Sequence, residues 1–296
     1  MLRPRLRIPR ASRLWRPAIS IRSLHHVPPL PQFDPKEGVP ELLSEIGFDI
    51  AWTQYMQFVI ENLNARTAGK DFEQQEPLAI LKATAREPSQ APIFNYASMA
   101  HNNAFFFENL TNVKTTGQGD AEEDRIPQRL RTELVKHFSS IETLRREFIA
   151  TAMGMFGPGF VWLVKNAQSE DLRILTTYLA GTPYTAGHWR RQGVDMNTQG
   201  FGSADTVKSW FDRTKTGAGA DVGGRFIPQN QTAPGGTDVV PLLCLNTWEH
   251  VWLPDYGVGA GGLGGKKMFV ERWWNVIDWN KVEGRANLMR PPLKTS

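Results

Sequence analysis

Between residues 39 and 64, in VPELLSEIGFDIAWTQYMQFVIENLN, apolar residues recur mostly at helical spacing, among them Ile50, Tyr55, Phe58, Val59 and Leu63. The pattern predicts one or two helices, with a break near Gly47. A short helix is expected over 78–86, closed by Pro88, and a longer, Phe-rich one over 93–110. The polar residues 112–125 read as a loop. Helices over 127–138 and 139–153 follow, the second opened by Ser139-Ser140-Ile141-Glu142, a capping-box pattern. After Gly157-Pro158-Gly159 the period changes: FVWLVK and LRILTTYL are short runs of β-branched and aromatic residues separated by NAQSED, as in a hairpin. VVPLLCL at 239–245 is a third strand, and a last helix covers 268–279. Helices first, then strands and helices, predict an α+β fold.

Two stretches fall outside this pattern. Residues 181–237 are rich in Gly, Thr, Gln and Asn, with one small helical island at 206–211, and read as a polar insertion placed at 185–236. The segment from Gly257 to Gly262 satisfies GxGxxG, but the preceding LPDY ends a helix where a dinucleotide site needs a strand, so a flexible loop is expected. The longest uncharged run, 148–164, is interrupted by Gly157-Pro158-Gly159 and falls short of the roughly 20 apolar residues of a spanning helix. No membrane segment is expected.

Charge alters the picture at one end only. The 296 residues hold 34 Lys and Arg against 30 Asp and Glu, a net charge of +4. Seven arginines lie in residues 1–22 (Arg3, Arg5, Arg7, Arg10, Arg13, Arg16 and Arg22) with no acid among them, which leaves 27 basic residues against 30 acidic ones. An Arg-rich, acid-free leader without a continuous apolar stretch predicts a mitochondrial presequence over 1–24; a basic arm that stays on the protein is the alternative. Ten Trp and sixteen Phe supply ample material for a core. The single cysteine, Cys244, excludes a disulfide framework and a thiolate-rich metal site.

Six segments carry a resemblance. They are HHVPPLP (25–31), IENLNA (60–65), NYASMAHNNAFFFENL (95–110), MGMFGPGFVWLV (153–164), NTWEHVWLPDY (246–256) and RWWNVIDWNKV (272–282). In this order they resemble the iron/manganese superoxide dismutases over residues 26–282. The resemblance implies a helical-hairpin part over 25–112, then an α/β part over 113–296 with a small three-stranded antiparallel sheet. It also implies where three histidines and an aspartate would hold Mn or Fe, since imidazole and carboxylate suit these ions. At those positions stand Ala51, Asn103, Asn246 and His250, of which only His250 can serve as in the family. The family's gateway tyrosine matches Val59, its helix-one histidine Tyr55, and its hydrogen-bonding glutamine Ala180. His101 lies two residues from Asn103 and belongs to a different helix face. No metal, cofactor or catalytic residue is therefore expected.

A mitochondrial chain of this kind resembles the small-subunit proteins of the fungal mitochondrial ribosome that share the dismutase fold. That implies a structural role among ribosomal proteins, paired with a second protein of the same fold, a homodimer being the alternative. Glu249 and His250, which bridge subunits in the family, become candidates for that interface, with a hydrogen-bonded core histidine as the other reading of His250. Contact with rRNA is expected to be limited to clusters such as Arg145-Arg146, Arg190-Arg191 and Lys266-Lys267. A matrix Mn/Fe dismutase with an altered metal site is the competing function. A matrix binding module unconnected with translation is a third.

Overall fold

The computed structural model describes residues 25–85, 87–112, 125–184 and 238–288. The leader at 1–24, the insertion at 185–236 and the Arg190-Arg191 pair lie outside the described residues.

The first helix begins at Glu45–Phe48 (α1), passes through a π-helical stretch, Asp49–Gln54, and continues as Tyr55–Thr67 (α2). The expected break at Gly47 is absent. Glycine stands there because a Cβ would overlap the Asp255 carboxylate. That carboxylate reaches in from the far end of the sequence, accepting from the Ser44 backbone N–H (2.8 Å) and hydroxyl (2.5 Å), while the Ser44 hydroxyl oxygen accepts from the Gly47 N–H at 3.0 Å. Ser44 is thus the N-cap, and an acid from another element supports it. The helix is distorted instead at the π turn, a feature that concentrates at functional sites.

Helices α3 (Pro77–Thr84) and α4 (Ala91–Glu108) complete the helical part, each with proline in its first turn. Leu63, Ile80, Leu81, Ile93, Phe94 and Ala97 form a small core of their own between α2, α3 and α4. Next come α5 (Gln128–Phe138) and α6 (Ile141–Gly154). The cap of α6 is one residue later than the capping-box pattern suggests: Ser140 accepts from the Thr143 N–H at 3.0 Å. Ser139 sits at φ 68°, and Glu142 pairs with Arg146 at 2.8 Å.

Strands β1 (Gly159–Asn166), β2 (Leu172–Tyr178) and β3 (Val239–Asn246) make an antiparallel sheet in the order β2-β1-β3. The central strand is buried from Gly159 to Lys165, which explains a nearly continuous apolar run in place of alternation. A register shift opposite Leu163 and Val164 accommodates Pro241, which has no N–H for the ladder. The α+β expectation with a three-stranded sheet is met.

Three helices follow: α7 (Glu249–Tyr256), α8 (Gly265–Asn275) and α9 (Trp279–Ala286). The single last helix expected over 268–279 is thus two. Ile277 leaves the helical path to bridge to Leu110, and Asp278 caps α9 by accepting from the Lys281 N–H. The glycine-rich loop before α8 closes on itself, with Gly264 at φ 75° against the Tyr256 carbonyl, where no side chain fits. The main core joins the sheet to α4, α6, α8 and α9 through Phe106, Phe107, Phe148, Trp162, Trp273, Trp274 and Trp279. Residues on both sides of position 112 share it. No helix of the described residues is long and apolar enough to cross a membrane.

Asp255→Ala removes the acid that ties α7 to the start of the first helix. It is expected to cost about 1 kcal/mol, read as a lower urea midpoint with an unchanged slope. Gly47→Ala, which drives a methyl into the same carboxylate, is expected to act in the same direction. Unchanged midpoints in both variants would show that this contact does not hold the helix.

Candidate functional site

Where α4, β3 and the π turn meet, the fold brings Ala51, Asn103 and Asn246 together, all fully buried. The two asparagine side chains and the Ala51 backbone carbonyl form a chain of hydrogen bonds. The Asn103 amide donates to the Ala51 carbonyl at 3.2 Å, and the Asn246 amide donates to the Asn103 amide oxygen at 3.0 Å. The Asn246 oxygen accepts in turn from the Trp248 backbone N–H at 2.9 Å. The relay joins segments 52 and 143 residues apart in sequence.

His250, in the first turn of α7, is not part of this relay. Its ring stacks on Tyr55 of α2, with centroids 3.9 Å apart and 22° between planes. Its Nε2 is buried without a hydrogen-bond partner, as is the indole N–H of Trp248. Burial pushes the imidazole pKa down to about 4 and that of the Tyr55 phenol well up. Glu249, beside it, is half-buried.

His101 turns away from Asn103, as its place on the helix implied. Its Nε2 pairs with the Tyr184 hydroxyl at 2.8 Å. Burial first, then the Lys82 and Arg285 charges, hold its pKa down at about 4. Arg285 itself lies 4.1 Å over the Phe105 ring and pairs with Glu108 at 3.2 Å. Sequence reasoning did not anticipate the Tyr184 partner or the asparagine relay. The available signal was two uncharged amides at positions otherwise surrounded by core residues.

The comparisons with known proteins bear on this centre. The pattern of the iron/manganese superoxide dismutase C-terminal domain matches residues 126–196 and 226–285. The Fe superoxide dismutase of Helicobacter pylori is 31% identical over 247 residues, covering 83% of each chain. The chain belongs to the iron/manganese superoxide dismutase family. Two small ribosomal subunit proteins of Schizosaccharomyces pombe are also similar to it. Protein mS43 is 26% identical over 88% of this chain and 84% of its own length. Protein mS42 is 26% identical over 72% and 75%.

The residues present do not fit the ion of a manganese or iron dismutase. The centre offers Ala51, which has no donor, and two neutral amides already bonded to each other. His250, the one imidazole, lies flat against Tyr55. Among the described residues no three His, Cys, Asp or Glu side chains converge as metal ligands would. The outer shell differs in the same way: Val59 is buried apolar packing, and the Ala180 carbonyl accepts from the Ser98 hydroxyl at 2.6 Å. Cys244 is buried, and burial raises its thiol pKa.

Two half-buried histidines, His101 and His250, give stability a pH dependence. Both have folded pKa values near 4, below the ordinary value of about 6.5. The unfolded chain therefore binds more protons between these values, and their contribution, full above pH 6.5, is lost as pH falls toward 4. The urea midpoint is expected to drop from pH 7 to pH 5, and less steeply in His250→Phe. A midpoint that is flat or rises over this range would contradict imidazoles held neutral in the folded state.

Proposed function

We propose that this chain is a non-catalytic structural component of the small subunit of the mitochondrial ribosome. The observation that carries the proposal is the centre where the family's ligands belong: it is filled by Ala51 and two mutually bonded asparagines. Similarity to two small ribosomal subunit proteins over most of the chain supports the assignment. The seven-arginine leader supports delivery to the mitochondrial matrix.

The partners are ribosomal proteins, including a second protein of the same fold, with a second copy of this chain as the alternative. Glu249 and His250 mark the docking face. Trp248, Glu249 and His250 each keep part of their surface exposed. Lys266 bonds the Met155 carbonyl at 2.8 Å and feels the Glu249 charge, and Phe156, next to Met155, is fully exposed, which supports including it in that face. Contact with rRNA is local, because exposed cations such as Lys136, Arg146 and Lys267 already face Glu133, Glu142 and Glu271.

A second reading, a matrix dismutase with a rebuilt metal site, draws on the 31% identity to an Fe superoxide dismutase. The donor set argues against it.

In a gradient of mitochondrial lysate, the tagged chain is expected to co-sediment with the small ribosomal subunit and to stay there in moderate salt. Recovery only in the soluble fraction would overturn the assignment. Phe156→Asp is expected to weaken pairing with the same-fold partner without changing the protein's own melting temperature.

A further inference from the structure

We propose that the Asn103–Asn246 relay has taken over the mechanical task of the family's metal, tying the first helix, α4 and the β3–α7 junction into one body. A metal centre draws separate chain segments together through its ligands. Here the same convergence is achieved by directional bonds among neutral groups, running from Trp248 N–H through Asn246 and Asn103 to the Ala51 carbonyl. Asparagine suits this task as aspartate does not. Each amide presents a donor to one neighbour and an acceptor to the other, so a chain of two passes from a backbone N–H to a backbone carbonyl. Neither side chain carries a charge, so full burial requires no counter-ion. Ala51, fully buried itself, supplies the backbone carbonyl at which the chain ends. The π turn at Asp49–Gln54 places that carbonyl in a locally widened helix.

The direction of the relay supplies a sharp test. Asn246→Asp is nearly isosteric, keeps the acceptor for Trp248 N–H, and restores the residue type that the family uses. It also removes the donor to Asn103 and sets two oxygens against each other. In the full chain this variant is expected to melt about 5 °C or more below the parent.

Asn246→Leu and Asn103→Leu each strand a buried partner, whereas the double variant removes both groups together. The double variant is expected to fall by clearly less than the sum of the two single losses. An Asn246→Asp protein as stable as the parent, or strictly additive losses in the leucine set, would overturn the proposal. Should Asn246→Asp fail to fold, the leucine cycle still decides between coupled and independent amides.

Discussion

The buried hydrogen bond between Asn103 and Asn246 sets the terms for the rest of the structure. It lies where the helical part meets the sheet, with no water-exposed surface on either side chain. Left unpaired, a buried amide costs on the order of 1–3 kcal/mol, so the segments bearing these residues must meet in one register. The bond from Asn103 to the Ala51 carbonyl falls within the π stretch, the distorted turn of the first helix.

Other cross-links tie distant elements together elsewhere in the fold. Asp255 on α7 supports the N-cap of the first helix through Ser44. Cationic side chains close helix C-termini from distant elements: Lys165 of β1 donates to the Ala286 carbonyl at 2.6 Å, and Lys281 of α9 donates to the Glu108 carbonyl at 2.8 Å. Arg285 adds a bond to Asn109 and a face-on contact with Phe105. Each tie joins the end of one element to a residue far away in sequence. A fold stitched in this way can keep its shape when the chemistry of its centre changes.

Much of the architecture was legible from periodicity. The hairpin, the third strand and the order of helices follow from apolar spacing and from turn residues such as Gly157-Pro158-Gly159. Boundaries failed where a tertiary contact overrode a local signal. Gly47 looked like a helix breaker but is a clearance for Asp255, and Ile277 looked helical but leaves its helix to reach Leu110. At the centre, sequence could say which ligand types were missing. It could not say that the asparagines bond to each other, because that depends on the relative orientation of two side chains 143 residues apart. The partner of His101 was hidden for the same reason, Tyr184 being 83 residues away.

What distinguishes a scaffold from an enzyme with a rebuilt centre is its metal content. The full chain, purified from mitochondria without chelators, should carry Mn and Fe far below one ion per chain when measured by elemental analysis. About one ion of either metal per chain, the complement of a working dismutase centre, would contradict a centre closed by asparagines.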